Sequence, residues 1–411
     1  MHNTLAMVIV GAGHVGGRAS QALREFGWAG PIMLIGTEPH LPYERPPLSK
    51  ALLTGERTAA QCALRTPESY VVEGIAHLVS TVDAIDAASR QITLVDGRRF
   101  SYEALLLATG GTPRWIEIPG AHLPHVLGLR TLDDAAALAP RLLEGAHIVV
   151  IGGGYIGLEV AASARSRGCR VSVVEGAPRL LGRAVPESVG AGVLALHRER
   201  GVDVRLGAAP SAIVPNGSQL DVQLADGSVL CADTVIVGVG IAPAIGLAQA
   251  AGLATARGVL VNAELQSSAA GIYAAGDVAE FPSAFSGEPI RQETWHNAET
   301  QARIAARNML GGHEAYTEMP WFWSDQYDHQ LQVAGEPALG LTSVTRPLGA
   351  GAAMYFHLDA QARLVGVSGF GLASAVAKEL KLARLLLQRR AQPAAVQLAD
   401  PGVKLKSLLP V

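Results

Sequence analysis

Cysteine is scarce in this chain. The 411 residues hold three, Cys62, Cys169 and Cys231, with no C-x-x-C or C-x-x-x-x-C pair among them. A disulfide framework is therefore not expected, and neither is a close dithiol for redox exchange; a reducing cytoplasm fits this usage. Long apolar runs are missing as well, since none reaches the roughly 20 residues needed to cross a bilayer. No basic leader or cleavage site precedes the first apolar strand, so no secretory signal is expected. Charged residues are few, 17% of the chain, and the net charge of −3 gives no general pull toward nucleic acid. Short repeats and low-complexity tracts are absent. With 49% apolar residues the composition is that of a globular protein, long enough for two or three domains.

Glycine, by contrast, is placed with purpose. Val8-Ile9-Val10 runs into Gly11-Ala12-Gly13-His14-Val15-Gly16, and Ile148-Val149-Val150-Ile151 runs into Gly152-Gly153-Gly154-Tyr155-Ile156-Gly157. Each reads as a β-branched strand, a G-x-G-x-x-G turn and a helix. In that setting the first glycine permits a tight turn, the second lets a pyrophosphate approach the backbone, and the third lets helix and strand pack closely. The phosphate charge then lies on the helix N-terminus. The first unit predicts strand 5–10, helix 14–26 and strand 32–36, ending at Thr37-Glu38. The second predicts strand 147–151, helix 155–167 and strand 170–174, ending at Glu175. An acid at that point binds ribose hydroxyls, so Glu38 and Glu175 are candidate ribose ligands. Two such cradles in one chain imply two dinucleotides, which points to a flavin, a nicotinamide and electron transfer. The predicted fold class is α/β, with two Rossmann-like dinucleotide-binding domains and a C-terminal α+β domain.

Several segments between the cradles carry further signals. Pro42-Tyr43-Glu44-Arg45-Pro46-Pro47-Leu48-Ser49-Lys50 reads as a stiff loop that places Arg45 and Lys50 against a charged ligand. Residues 75–107 predict short strands, ending in the buried strand before Ala108-Thr109-Gly110. Proline and glycine near 113–124 and 238–243 mark crossings between domains. Residues 272–278 predict a strand ending at Asp277, followed by a helix over 297–310. Trp321 and Trp323, two apart, share a face if they lie on a strand.

With these residues the chain resembles the FAD-containing, NADH-dependent ferredoxin reductases that serve bacterial Rieske oxygenases and haem monooxygenases, within the glutathione-reductase-like flavoproteins. The resemblance covers nearly the whole chain. It is carried by both glycine motifs, Arg45-Pro46-Pro47-Leu48-Ser49-Lys50, Ala108-Thr109-Gly110, Ala275-Gly276-Asp277-Val278 and Pro320-Trp321-Phe322-Trp323-Ser324-Asp325-Gln326. It implies an FAD domain over 1–112 and 244–318, an NAD domain over 113–243 and a C-terminal domain over 319–411.

For FAD it implies a cradle of Gly11, Ala12, Gly13, His14 and Gly16. Thr37 and Glu38 fall near the ribose and Val82 near the adenine. Arg45, Lys50, Ala108, Thr109, Gly110, Arg130, Gly276, Asp277, Glu293 and Trp295 supply further contacts. Lys50 falls beside the flavin N5 edge, Glu159 approaches that lysine, and Trp323 flanks the nicotinamide and flavin; these three are the candidate catalytic residues. For NAD it implies Gly152, Gly154, Tyr155, Ile156, Gly157, Glu175, Arg183 and Gly240. An acid at position 175 repels a 2′-phosphate, while Arg179 and Arg183 nearby pull toward NADP; the acid stands at the strand end, so NADH is the expected cofactor.

The implied activity is hydride transfer from NADH to FAD, then release of single electrons to an acidic [2Fe–2S] ferredoxin that feeds a terminal oxygenase in aromatic hydrocarbon breakdown. From Arg363 onward eight basic residues face two acids, an excess suited to steering such a partner. No membrane or nucleic-acid partner is expected, and the protein is expected as a monomer or homodimer. Two other readings remain open on the residues: a reductase for a small-molecule acceptor such as a quinone or dehydroascorbate radical, and a redox-regulated assembly protein like apoptosis-inducing factor.

Overall fold

The computed structural model describes residues 5–182 and 185–410. They form two compact units. One unit takes residues 5–45, 59–112 and 241–319; the other takes 46–58, 113–240 and the chain from 320 on.

The first unit is built on a twisted sheet whose central strand, Ala6–Val10, lies parallel to Ile32–Gly36 on one side and Arg99–Leu107 on the other. Ile75–Val79 extends one edge, and Ile272–Ala274 runs parallel to the end of Arg99–Leu107. Val8, Ile9, Leu34, Leu105 and Leu106 are fully buried, as expected of strands covered on both faces. Val82–Asp86 and Gln91–Leu94 add an antiparallel flap beside Arg99–Leu107. Helices His14–Glu25 and Trp295–Met309 pack together on the sheet, and Ala19, Ala22, Ala302 and Ala305 on them are each at or near zero exposure. Small residues at these positions let two helix backbones approach closely.

The second unit repeats the plan. His147–Ile151 sits between Arg170–Glu175 and Thr234–Val237 in a parallel sheet of five strands. An antiparallel sheet of Pro210–Asn216, Gln219–Leu224 and Val229–Ala232 lies beside it. From Trp321 the pattern changes to five antiparallel strands, Trp321–Gln326, His329–Gly335, Thr342–Gly349, Ala352–Leu358 and Leu364–Leu372, covered by helix Ala373–Gln388. That helix buries Val376, Leu380, Ala383, Leu386 and Leu387, spaced three and four apart on one face. Arg346, almost fully buried, donates to the carbonyls of Asp400 and Val403 and so pins the C-terminal segment. The fold is thus two dinucleotide-binding α/β cores and a C-terminal α+β layer.

Three local expectations need correction. Residues 272–278 are not one strand: the strand stops at Ala274, and Gly276, at φ +78°, turns the chain into a 3-10 turn over Gly276–Val278. The helix expected over 297–310 starts earlier, at Trp295, because the Thr294 side chain caps it by accepting from the Asn297 amide at 3.1 Å. The proline stretch, expected as a stiff loop, is folded into turns. Pro46–Ser49 closes a 3-10 turn and Ala51–Thr54 a single helical turn, docked in the second unit by Arg167, which donates to the Leu53 carbonyl.

Candidate functional site

In the first unit the three glycines of the leading turn divide the work. Gly11 has φ +115°, and a Cβ there would lie 2.1 Å from the Ala108 carbonyl oxygen. A Cβ on Gly16 would lie 2.0 Å from the Gly11 carbonyl oxygen. Both are therefore obligatory for the close approach of helix, turn and strand. Gly13 differs: a Cβ there would meet nothing nearer than Arg45 Nη2 at 3.7 Å, so its backbone faces open space that a ligand can take. Helix His14–Glu25 begins there without a side-chain cap and without an acid in its first turn, leaving its N–H groups and dipole for an anion.

Around this turn stand polar groups with unspent capacity. His14 Nε2 and Arg18 Nε reach the Glu299 carboxylate at 2.8 and 2.7 Å. Burial would raise that carboxyl, but the bonds from His14 and Arg18 outweigh it and hold Glu299 below the usual range. His14 Nδ1 is buried with no hydrogen bond among the described residues, and so is Gln301 Nε2, although Gln301 Oε1 accepts from the Gly276 amide at 2.8 Å. Buried polar atoms left in this state mark a site that a polar ligand completes. Trp295 packs edge-on to His14 at 5.3 Å.

Glu38, just past strand Ile32–Gly36, accepts from Arg45 Nη2 at 2.8 Å and from the Tyr43 hydroxyl. Two residues assigned separately from sequence are thus an ion pair. Thr37 is exposed, Val82 opens the flap strand, and Thr109 Oγ1 is fixed on the Ala244 carbonyl at 2.9 Å. Asp277 lies in the 3-10 turn with its carbonyl accepting from Arg291, which also pairs with Glu293 at 2.5 Å. A phosphate-bearing dinucleotide such as FAD fits this donor set and this cradle.

The second cradle copies the first. Gly152 has φ +110° and a Cβ there would lie 2.4 Å from the Gly238 carbonyl; a Cβ on Gly157 would lie 2.3 Å from the Gly152 carbonyl. At Gly154 nothing stands nearer than 3.9 Å. Glu175 is held in place, accepting from the Gly153 amide at 2.6 Å and the Ala177 amide at 2.7 Å. Arg179, the rival signal, is spent on its own loop, donating to the carbonyls of Val185 and Gly182. Arg183 lies outside the described residues. Gly240 has φ +104° with open space around it, Ile156 is exposed, and the half-buried Tyr155 ring meets Phe322 edge-on at 5.0 Å, with burial of its hydroxyl pushing the phenol far up. These residues fit a second dinucleotide without a 2′-phosphate.

Also in the second unit is an ionic cluster around one buried carboxylate. Lys50 Nζ stands 2.8 Å from Asp325 Oδ2 and 3.3 Å from Glu159 Oε1. Glu159 is only 5% exposed. Its two oxygens also accept from Ser49 Oγ at 2.5 Å and Ser324 Oγ at 2.6 Å. Burial alone would lower the Lys50 ammonium, but Glu159 and Asp325 outweigh it and raise its pKa. Burial likewise dominates at Glu159 and pushes its carboxyl up, against the pull of Lys50 and the two serines. A simple helix-surface acid is ruled out by that environment. Trp321 and Trp323 do share a face, stacked 5.2 Å apart, with Arg384 over Trp321 at 4.3 Å. Arg130 belongs to this unit too, its amide donating to Asp134 just before helix Leu132–Leu138.

Sequence reasoning missed Ser49, Ser324 and Asp325, although all three lie inside motifs it singled out. It also missed Arg18, Glu299 and Gln301, for which no local signal exists. Among the described residues no group of His, Cys, Asp and Glu could hold a metal ion.

Two glycine cradles, each with an acid at the following strand end, define a two-dinucleotide oxidoreductase. Residues 5–302 match the pyridine nucleotide-disulphide oxidoreductase family, and residues 321–409 match the reductase C-terminal family. The chain belongs to the pyridine nucleotide-disulphide oxidoreductase family. It is 41% identical over 406 residues to the ferredoxin–NAD(+) reductase component of the anthranilate 1,2-dioxygenase system of Burkholderia cepacia, covering 98% of each chain. It is 40% identical over 336 residues to putidaredoxin reductase of Pseudomonas putida, covering 80% of each. Among solved structures it is similar to the ferredoxin reductase of the CYP199A2 system from Rhodopseudomonas palustris, with a TM-score of 0.93, 37% identity and coverage of 98% and 100%. The putidaredoxin reductase–putidaredoxin complex gives a TM-score of 0.92 at 36% identity, covering 98% of this chain and 97% of that one.

Proposed function

We propose that this chain is the NADH-dependent reductase of an oxygenase system, using FAD to pass electrons to a [2Fe–2S] ferredoxin. The observation that carries the reading is the paired cradle, one per unit, combined with full-length likeness to reductase components of dioxygenase systems. When bound, FAD accepts a hydride from NADH and releases electrons singly. The chain's own residues bind, orient and polarise. Gly11, Ala12, Gly13, His14 and Gly16 hold the FAD pyrophosphate, with Thr37, Glu38, Arg45, Val82, Ala108, Thr109, Gly110, Arg130, Gly276, Asp277, Glu293 and Trp295 as further contacts. Gly152, Gly154, Tyr155, Ile156, Gly157, Glu175, Arg183 and Gly240 hold NADH. Lys50, clamped between Glu159 and Asp325, offers a fixed ammonium where negative charge gathers on reduction, and Trp323 offers an indole face for a planar ring.

The lack of a cysteine pair requires the electrons to leave without a thiol relay. The division into FAD, NAD and C-terminal domains, a cytoplasmic location and a place in aromatic hydrocarbon breakdown belong to the same reading. No helix among the described residues is long and apolar enough to cross a membrane. The test is reduction of cytochrome c by NADH with and without added [2Fe–2S] ferredoxin. Strong dependence on the ferredoxin is expected; equal rates without it would transfer the case to a small-molecule acceptor.

A further inference from the structure

The buried carboxylate of Glu159 is the end of a longer line. Ser324 Oγ donates to Glu159 Oε1 at 2.6 Å. That hydroxyl has one proton, so its oxygen can only accept from Gln326 Nε2, 2.9 Å away. The Gln326 amide is thereby oriented, and its Oε1 faces His197 Nε2 at 2.9 Å. His197, at 0% exposure near the end of helix Glu187–Glu199, must then carry its proton on Nε2. Three donors in series, His197, Gln326 and Ser324, all point at Glu159. Such a series polarises along its length and strengthens its last bond.

We propose that His197 is a positioning residue for Glu159: through Gln326 and Ser324 it delivers a one-way line of hydrogen bonds that keeps Glu159 ionised opposite Lys50. The inference rests on the reading of Lys50 and Glu159 as the pair that serves the flavin. Its converse follows from proton counting. If Glu159 takes a proton on Oε1, from solvent or from Lys50, that O–H donates to Ser324, while Ser49 stays on Oε2. Ser324 then donates to Gln326 Oε1, the amide turns over, and Gln326 Nε2 donates to a bare His197 Nε2. The ring keeps one proton, now on Nδ1, where the Tyr327 hydroxyl stands 3.5 Å away. The exchange uses water admitted by local opening. The charged and titratable groups facing the line are few. Lys50 and Asp325 lie at the Glu159 end, and Tyr327, with Arg165 and Arg200 acting on it, lies at the His197 end. Burial lowers the His197 pKa, the Gln326 bond only partly opposing it, so the imidazole stays neutral and works by tautomer rather than by charge.

The experiment is a pH titration of the FAD-loaded protein with ¹⁵N-histidine and ¹³C-glutamate labels. His197 is expected as the Nε2–H tautomer at neutral pH, shifting toward Nδ1–H over the same pH range in which the Glu159 carboxyl takes its proton. Ser324→Ala should uncouple the two signals and raise the Glu159 midpoint by about one unit; Ser324→Thr, which keeps the hydroxyl, should restore both. An Nδ1–H tautomer at neutral pH, or a His197 signal indifferent to Ser324→Ala, overturns the proposal, and the wild-type tautomer alone decides it if the alanine variant does not fold. The underlying reading fails separately: if the pH profile of flavin reduction by NADH is the same in Glu159→Gln as in wild type, the pair does not serve the flavin, whatever His197 does.

Discussion

Lys50 Nζ and Asp325 Oδ2 lie 2.8 Å apart although 275 positions separate them in the chain. With Glu159 at 3.3 Å, the ammonium is held between two carboxylates and cannot swing. Fixed charges act on developing charge without reorganising, which is where their catalytic value lies. Lys50→Met should slow flavin reduction by NADH by on the order of 10²-fold. Asp325→Asn, which keeps the size and loses the charge, should cost about tenfold. Stopped-flow absorbance at the flavin band measures both, and wild-type rates in Lys50→Met would remove the lysine from the mechanism.

Gly11 and Gly13 at the first turn separate folding from binding. Gly11→Ala places a Cβ 2.1 Å from a backbone oxygen at φ +115°, so the protein should misfold or fail to accumulate. Gly13→Ala has room in the protein and should fold, yet its methyl occupies the ligand's approach. The expected product is a well-folded but colourless protein, with normal circular dichroism and an FAD content reduced at least about tenfold. A yellow Gly13→Ala protein with full flavin would show that the pyrophosphate does not sit there.

Cofactor choice should follow the charge at position 175. Glu175 accepts from two backbone amides, and Arg179 is turned away into its loop. Glu175→Gln keeps the size and one acceptor oxygen while removing the repulsion of a 2′-phosphate. The preference for NADH over NADPH in kcat/KM should fall by about tenfold, one charge interaction's worth near a surface. An unchanged ratio would assign the discrimination to other residues.

How much of this was readable from sequence depends on range. The cradles were legible because their information is local: a β-branched strand, glycines at fixed spacing and an acid at the next strand end. The shared face of Trp321 and Trp323 was legible for the same reason. The burial of Glu159 was not, since its serine partners come from 110 and 165 positions away. His197 and Gln326, 129 positions apart, carry no mutual signal in a single sequence. The early start of helix Trp295–Met309 was a miss of another kind, because the Thr294 cap was present in the sequence and was passed over.

Stability should fall as the pH drops through the mildly acidic range. His357 is buried, its Nε2 3.2 Å from Ser368 Oγ, and burial pulls its pKa down to about 4. An unfolded chain would hold that histidine near its ordinary value of 6.5. Between the two values the unfolded state binds the extra proton. The contribution is therefore complete above about pH 6.5 and is lost progressively toward pH 4, amounting to ~3 kcal/mol for the group. Burial also lowers His197, His147 and His77, which act in the same direction. Urea unfolding of wild type and His357→Gln across this range is the measurement. The wild-type midpoint should fall more steeply with acid than the variant's, and parallel curves would mean that His357 is already protonated in the fold.

Ferredoxin reduction should weaken with salt, and the exposed basic residues of the C-terminal segment set the scale. Arg363 is paired with Asp359 and Arg384 lies over Trp321, so neither is a free steering charge. Lys378, Lys381, Lys404 and Lys406 are exposed. Charges of one sign on a surface raise the encounter rate with an acidic partner and leave the chemistry of the bound pair alone. Raising ionic strength from about 0.01 to about 0.5 M shortens the screening length several-fold. The second-order rate of ferredoxin reduction should then fall by about tenfold or more, with flavin reduction by NADH nearly unchanged. Reversing Lys378 and Lys381 to glutamate should flatten that dependence. If both rates fall together, salt is acting on NADH binding; if neither falls, the segment does not guide the partner.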